Sequence, residues 1–225
     1  MTIHDDSFVP DVDPAVWRLR PDFSALSIVV RGVSLSPDAV LADRPTPPAP
    51  PWADAHFDAW RQAYAAFGAK PQRTPSSAEA LRRRVERDGA LPHINALVDL
   101  YNELSLRYAI PIGGEDIAAY RGRPRLVRAT GGERFETMRD GQPWIETVEP
   151  GEVIWRDDQG VTCRRWNWRQ SVRTRLESSS RDMWFVLERL EPMPLAGLQE
   201  AADVLMRELQ RLAPGAAMTS TLLAP

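Results

Sequence analysis

The order of two hydrophobic patterns along the chain limits its fold more than any other feature. Apolar residues recur at helical spacing in segments between residues 53 and 108. From Pro111 onward the sequence changes to short strand-like runs separated by turns. PGEVIWR and VTCRRWNWRQ flank DDQG, which predicts a long hairpin, and MWFVLERL (183–190) predicts a further strand. Helices followed by antiparallel strands indicate an α+β domain with one antiparallel sheet and packed helices.

The chain divides into three predicted segments. Residues 1–52 form an N-terminal extension with one strand, SALSIVVRGV (24–33), and an extended proline-rich connector, RPTPPAPPW (44–52). Residues 53–192 form the main domain. In residues 193–225, LAGLQEAADVLMRELQRL predicts an amphipathic helix packed on that domain, followed by a flexible tail. A chain of 225 residues with 43% hydrophobic content can bury one sizeable core.

Composition argues against several classes of protein. No apolar run approaches the ~20 residues of a membrane span, and the acidic N-terminus does not resemble a signal peptide. Cys163 has no partner cysteine, and three scattered histidines do not form a zinc set. We therefore expect a cytoplasmic protein without a metal or another cofactor. The net charge of −3 argues against a generally basic nucleic-acid binder, although no acid lies between Asp158 and Glu177.

A polar stripe marks the predicted helix Ile94–Tyr108. Its apolar residues form one broad face, whereas Asn95, Asp99 and Asn102 recur at i, i+4 and i+7 between apolar neighbours. Partly buried amides and carboxylates need hydrogen-bond partners. Either these side chains bind neighbouring backbone and brace the core, or they line a polar pocket. Helical spacing alone favours neither interpretation.

The stretch RRWNWRQ has the least usual composition in the chain. Three arginines and two tryptophans occur in seven residues without an acid: Arg164, Arg165, Trp166, Asn167, Trp168, Arg169 and Gln170. On a strand, alternate residues of this stretch would point to opposite faces. The tryptophans could simply pack in the core with arginines at its edge. Because polar residues fall on both faces, we favour a site that holds an anion or a nucleotide beside an aromatic surface.

Common catalytic motifs are missing. The sequence contains no phosphate-binding loop and no GxSxG elbow, and neither Ser76–Ser77 nor Ser178–Ser180 has a histidine placed near it by sequence. IPIGGED (110–116) is interpreted as a tight glycine turn followed by two acids. Cys163 lies on a predicted strand, where a buried inert thiol is the usual outcome. These observations argue against a serine or cysteine nucleophile.

The order of motifs resembles a known family. SSAEALRRRVERDGALPHINALVDLYNELSLRYAIPIGGEDI is similar to the B3/B4 editing domain of the bacterial phenylalanyl-tRNA synthetase β subunit. The resemblance continues through the GGERF and GEVIWRDDQGV segments, over roughly residues 55–190, and RRWNWRQ looks like free-standing B3/B4 proteins. It implies a pocket that receives the tRNA 3′ end, or aminoacyl-tRNA, and hydrolyses a mischarged ester. A positioned water and hydrogen bonds to the developing oxyanion suffice for that reaction.

The resemblance also implies roles for individual residues. Asn102 falls on the pocket asparagine of the family, whereas Tyr101 replaces a threonine and Gly113 replaces the pocket histidine. RRWNWRQ takes the place of the synthetase's glycine-rich loop. These replacements mean that tyrosine specificity does not carry over.

We therefore predict a proofreading site in which Asn95, Asp99 and Asn102 form one wall. Gly113 and Gly114 would offer backbone donors, and RRWNWRQ would hold the terminal phosphate or adenosine. Either Glu115 or Glu133 would orient the water. The alternative is a non-catalytic pocket for an amino acid, a small anion or a protein partner, which the missing histidine and the modest charge favour. The sequence predicts no oligomeric state.

Overall fold

The computed structural model describes residues 8–35 and 48–225. The first seven residues and part of the predicted proline-rich connector, 44–47, lie outside the described residues. Within them the helices are α1 (Pro14–Leu19), α2 (Ala53–Ala66), α3 (Ser77–Asp88), α4 (Ala96–Tyr108) and α5 (Leu195–Leu212). The strands are β1 (Asp11–Val12), β2 (Ser24–Arg31), β3 (Ile112–Asp116), β4 (Arg125–Arg128), β5 (Arg134–Arg139), β6 (Gln142–Thr147), β7 (Val153–Arg156), β8 (Val161–Arg164), β9 (Arg169–Gln170), β10 (Met183–Arg189) and β11 (Ala217–Leu223).

The strands of the described residues form two sheets. The smaller sheet has the order β11-β2-β10-β3, and all of its pairings are antiparallel. The larger sheet has the order β1-β4-β7-β8-β5-β6, with β9 beside β8. It includes two parallel pairings, β1 with β4 and β5 with β8. The α+β class predicted from the sequence is confirmed, but the chain builds two sheets where one was expected, and the larger is mixed.

Strand β10 connects two hydrophobic cores. Met183, Phe185 and Leu187 pack with residues of α4 and α5 on one face of the smaller sheet. Trp184 and Val186 point to the other face, where they pack with residues of α2 and the larger sheet. Successive side chains of a strand point to opposite faces, so β10 contributes to one core on each face of the smaller sheet.

Both ends of the chain contribute strands to the smaller sheet. The strand predicted at 24–33 is present as β2, and it pairs with β10 on one side and β11 on the other. The flexible tail expected after α5 is wrong, because Ala217–Leu223 pairs with β2 along its whole length. Only Leu223 of this strand is buried, which explains the error: an edge strand held by backbone hydrogen bonds shows little apolar alternation. The segment boundaries at 52 and 192 stay predictions.

The predicted start and end signals of α3 are confirmed. The Ser76 side chain accepts from the Glu79 amide, and Gly89 ends the helix at φ 81°, in the left-handed region. The arginine run of this helix forms ion pairs. Arg82 with Asp54 and Glu86, and Arg84 with Asp88, pair at the surface as expected for a solvated face, whereas Arg83 pairs with the buried Glu79. None of the helices in the described ranges is long and apolar enough to span a membrane.

Candidate functional site

A cavity of about 320 Å³ lies between the smaller sheet, the β7–β9 region of the larger sheet, and helices α3 and α4. Strands β3 and β10 form its floor, and the turn between β8 and β9 forms a wall. Ala80, Leu81 and Arg84 of α3 line the opposite side. Aromatic side chains, among them Trp155, Trp166, Trp168 and Trp184, supply much of the lining. A concave, largely apolar site with a few polar groups is typical of small-ligand binding.

The floor of the cavity carries an acid at each end. In the register of β3 and β10, Glu115 lies opposite Trp184 and Gly113 lies opposite Val186. Further along the same face, the Glu188 amide donates to the Pro111 carbonyl. A Cβ on Gly113 would have Val186 as its only neighbour within 4 Å, at 3.5 Å. The absence of a side chain at Gly113 therefore leaves open space over the floor between Glu115 and Glu188.

Glu115 is a buried acid with a strongly shifted pKa. Its side chain accepts a hydrogen bond from the Tyr120 hydroxyl, and the residue is only 4% exposed. Burial raises the pKa of Glu115 to about 7, although hydrogen bonds from Tyr120 and Thr162 oppose the shift. Near neutral pH this carboxyl therefore exists in both protonation states.

Glu188 is a second buried acid in the same cavity. Its Oε1 accepts from Trp155 Nε1 at 2.9 Å, and the residue is 2% exposed. Burial raises the pKa of Glu188 to about 8, with a smaller contribution from the negative charge of Glu115 and against hydrogen bonds from neighbouring side chains. Within the described parts of the chain, neither Glu115 nor Glu188 has an ion-pair partner within 4.0 Å. Both carboxyls are therefore free to meet a positively charged or hydrogen-bonding group of a ligand.

Asn167 contributes a hydrogen-bond donor that has no acceptor in the described residues. Its Oδ1 accepts from the Tyr64 hydroxyl at 2.9 Å, which fixes the orientation of the amide. The Nδ2 group has no hydrogen-bond partner, although the residue is 8% exposed and lines the cavity. Asn167 and Trp166 lower the pKa of Glu188, so both groups lie near this carboxyl without a hydrogen bond of normal geometry. Buried donors of this kind indicate a missing acceptor.

The predicted strand over RRWNWRQ is wrong. Strand β8 ends at Arg164 and β9 begins at Arg169, and the residues between them form a tight turn. Arg165 and Trp166 adopt φ of 47° and 66°, in the left-handed region. Trp166 is fully buried, with its ring 5.0 Å from that of Phe23 and 5.3 Å from that of Trp60. Packing of this large ring outweighs the backbone cost of the turn, and the expected alternation of faces does not occur.

The seven residues of this stretch consequently separate into two groups. Four of them line the cavity: Trp166, Asn167, Trp168 and Gln170. The three arginines do not line it. Arg164 is buried in ion pairs with Glu146 and Glu152, and the guanidinium groups of Arg165 and Arg169 stack on Trp168 at 4.4 Å and 4.9 Å. The arginines predicted to hold a ligand in this cavity instead support the wall of the cavity from behind.

The three polar residues of the α4 stripe also differ in their surroundings. Asn95 is the N-cap of the helix, and its side chain accepts from the Val98 amide at 3.0 Å. Asp99 accepts from the Ile94 amide at 2.9 Å and contacts His93. Asn95 and Asp99 were predicted to form a wall of the pocket, but they cap the helix and do not line the cavity. Asn102, one turn further on, does line it.

The predicted glycine turn at Gly113 and Gly114 is wrong, because both residues lie in strand β3. Gly113 forms part of the cavity floor, whereas Gly114 points to the opposite face. A Cβ on Gly114 would come within 2.9 Å of both Leu176 and Phe185. Its carbonyl accepts from Gln170 Nε2 at 2.8 Å, which ties β3 to the cavity wall. Close packing therefore requires glycine at Gly114, and neither Gly113 nor Gly114 has a positive φ.

Glu133, the second acid proposed to orient a water, lies away from the cavity. Its side chain accepts from the amides of Thr130 and Gly131 at 2.7 and 2.9 Å and is partly exposed to solvent. Despite some burial, these hydrogen bonds hold the pKa of Glu133 below its ordinary value. This carboxylate therefore stabilises a turn, and only Glu115 of the two candidates lies at the site.

Sequence reasoning missed Glu188 entirely. The signal was present, because an acid in the apolar run MWFVLERL falls on the same strand face as Trp184 and Val186. Cys163 also lines the cavity, and burial raises the pKa of its thiol well above the ordinary value, so it is a poor nucleophile. The described residues include no group of three or more His, Cys, Asp or Glu side chains that could hold a metal ion.

A model of the B3/4 domain family matches residues 59–213, which is more than half of the chain. The chain belongs to the B3/4 domain family. The matched residues of this B3/4 domain include the whole cavity floor and the turn between β8 and β9.

A solved structure shows the same fold. An N-terminal fragment of the phenylalanyl-tRNA synthetase β subunit from Pyrococcus horikoshii superposes with a TM-score of 0.55 at 12% identity. The alignment covers 96% of this chain and 54% of that fragment, so the B3/4 domain protein spans about half the length of its structural relative. A search of the curated proteins finds no match.

Proposed function

We propose that this B3/4 domain protein receives the 3′ end of aminoacyl-tRNA in the cavity and hydrolyses the ester of a mischarged amino acid. The observation that carries the proposal is Glu115, a carboxyl buried in the cavity with a pKa of about 7. A general base works best when its pKa lies near the working pH. The structural similarity to the synthetase fragment supports a role connected with tRNA.

The proposed reaction is a direct attack of water on the ester carbonyl. Ionised Glu115 accepts a proton as the water oxygen bonds to the carbonyl carbon. The oxyanion that forms accepts a hydrogen bond from Asn167 Nδ2, which has no other partner in the described residues. Collapse of the tetrahedral intermediate breaks the ester bond, and protonated Glu115 returns its proton to the leaving ribose oxygen, which regenerates the carboxylate. No covalent enzyme intermediate is needed, which agrees with the raised pKa of the Cys163 thiol.

A second cavity, of about 310 Å³, offers a place for tRNA phosphates. Lys70, Arg73 and Arg165 line it, together with Glu149 and Glu152. Glu152 is already neutralised by its ion pair with Arg164. Arg165 belongs to the β8–β9 turn, whose residues 166–168 line the first cavity, so the two cavities adjoin. A cationic surface beside the proposed acyl pocket suits a polyanion whose 3′ end enters that pocket.

The test is deacylation of tRNAs that carry several different non-cognate amino acids. We expect release of at least one amino acid well above the uncatalysed rate, and tRNA binding that weakens steeply between 50 and 200 mM salt, roughly a decade or more in affinity. No deacylation at high protein concentration, with any of the charged tRNAs, contradicts the proposed hydrolase. Binding that does not respond to salt contradicts the phosphate contacts.

A non-catalytic amino-acid pocket is the second candidate. One observation favours it: Glu115 and Glu188 line the cavity without a cationic partner in the described residues, which suits the ammonium of a free amino acid. The same cavity disfavours a small anion, because two carboxyls line it. Binding of free amino acids without any deacylation of charged tRNA distinguishes this candidate from the hydrolase.

A further inference from the structure

The cavity combines a buried acceptor and a buried donor that lie close together. Glu188 is a nearly inaccessible carboxyl without a cationic partner in the described residues, and it lines the cavity. The side-chain amide of Asn167 lies near this carboxyl and lowers its pKa, yet Asn167 Nδ2 has no hydrogen-bond partner of normal geometry in the described residues. Because the Tyr64 hydroxyl holds Asn167 Oδ1, the amide cannot reverse its donor and acceptor without losing that hydrogen bond. The site thus requires a ligand with a cation next to a hydrogen-bond acceptor.

An α-aminoacyl group has this arrangement. Its ammonium and its carbonyl oxygen are attached to neighbouring carbons, so one group can bind a carboxylate while the other accepts from an amide. A cation within the side chain of a basic amino acid is several bonds from the ester carbonyl. It therefore fits an adjacent acceptor and donor less well.

We propose that the cavity selects acyl groups with a free α-ammonium, which binds Glu188 while the neighbouring carbonyl oxygen accepts from Asn167 Nδ2. This inference rests on the proposed function and names the chemical class of its substrate. An amino acid whose α-nitrogen is acylated has lost the cation and cannot form the ion pair with Glu188. An acylated ligand forgoes this charge-assisted hydrogen bond, so acylation disfavours binding.

The experiment measures binding by calorimetry with four amides that cannot undergo ester hydrolysis. L-norleucinamide carries an α-ammonium, Nα-acetyl-L-norleucinamide carries no cation, L-lysinamide carries two, and Nα-acetyl-L-lysinamide carries only the side-chain cation. We expect the two amides with a free α-ammonium to bind at least about tenfold more tightly than their acetylated counterparts. The comparison among probes uses the wild-type protein and needs no variant.

Glu188→Gln then identifies the group that recognises the ammonium. We expect it to reduce the preference for free over acetylated norleucinamide to about twofold or less, because glutamine keeps the shape but not the charge. Glu191→Gln is the matched control: Glu191 has a side chain that is 70% exposed, and this variant should keep the full preference. Far-ultraviolet circular dichroism and thermal unfolding establish that both variants fold.

Three results overturn the inference. The acetylated norleucinamide could bind as tightly as the free one, or none of the four amides could bind. Alternatively, the two lysinamides could bind equally well while acetylated norleucinamide fails, which assigns the cation to the side chain. Selective binding of free amides without deacylation of charged tRNA would remove the proposed hydrolase and keep this inference. Equal deacylation of free and Nα-acetylated aminoacyl-tRNA would do the reverse.

Discussion

Two Gly-Gly-Glu sequences in this chain adopt different structures. Gly113-Gly114-Glu115 lies in strand β3, where neither glycine has a positive φ and the glutamate is buried in the cavity. Gly131-Gly132-Glu133 forms a turn with φ of 101° and 82°, and its glutamate accepts hydrogen bonds from that same turn. One motif builds a candidate site, and the other only changes the direction of the chain.

The flanking residues explain the difference. IPIGGED continues an apolar strand that pairs with β10, and Phe185 and Leu176 approach Gly114 too closely for a side chain. ATGGERF follows strand β4 at the surface, where Gly131 packs against Pro150. The Glu133 carboxylate accepts a hydrogen bond from the Gly131 amide in this turn. The glutamates of the two motifs therefore have pKa values shifted in opposite directions: the pKa of Glu115 is raised, and that of Glu133 is lowered.

The largest expected effect distinguishes the two glutamates by activity. Glu115→Gln should reduce deacylation of mischarged tRNA about 100-fold or more, because it removes the proposed general base. Glu133→Gln should leave the rate within about twofold, since its side chain lies at a turn outside the cavity. Single-turnover rates with both variants at equal concentration make the comparison. Equal losses in the two variants would contradict the assignment of Glu115.

A second effect is an opposite dependence of stability on pH. The folded-state pKa of Glu115 is about 7, above its ordinary value of 4.5, so its contribution is fully present below pH 4.5 and is lost as the pH rises towards 7. The pKa of Glu133 is lowered, so its contribution is present above 4.5 and is lost as the pH falls.

Thermal unfolding between pH 3 and pH 8 measures both contributions. Wild type should lose stability between about pH 5 and pH 8, and Glu115→Gln should flatten this decline. Glu133→Gln should instead remove part of the loss on the acidic side. The raised pKa of Glu188, about 8, should keep some decline in Glu115→Gln. A profile of Glu115→Gln that is parallel to that of wild type would show that Glu115 ionises as an ordinary carboxyl.

Regular elements were the most predictable part of the molecule. The period of α4, the capping residues of α3 and the apolar run of β10 depend on local sequence, and each was confirmed. Asn102, Gly113 and Glu115 were also predicted, from the helical stripe and from the family resemblance, and all three line the cavity.

Long-range contacts decide the remaining features. Arg165 and Trp166 take left-handed backbone angles because Trp166 packs against Phe23 and Trp60, which are distant in sequence. No local propensity predicts such angles for arginine and tryptophan. Glu188 becomes a site residue only because β3 and the β8–β9 turn enclose its strand face. An acid in an apolar strand marks this position, but only the pairing shows what surrounds it.

A third prediction applies the same contrast to two asparagines of one helical stripe. Asn102→Ala should lower deacylation about tenfold with little change in stability, because its side chain lines the cavity and does not cap the helix. Asn95→Ala should cost about 1 kcal/mol of unfolding free energy and leave the rate unchanged, because it removes only the N-cap of α4. Urea unfolding and single-turnover deacylation of both variants test the pair. A stability loss in Asn102→Ala would make this residue structural.

The last comparison concerns stability alone and separates the glycines of the two motifs. Gly132 has a φ of 82° with open space around it, so Gly132→Ala should destabilise the protein by about 1 to 2 kcal/mol through backbone strain alone. Gly113 has ordinary strand angles, and a Cβ there would meet Val186 at a normal contact distance of 3.5 Å. Gly113→Ala should therefore change the unfolding free energy by no more than about 0.5 kcal/mol, in either direction. Urea unfolding of both variants measures the difference. If Gly113→Ala proves the more damaging change, β3 depends on glycine for its backbone conformation, and the contrast between the two motifs fails.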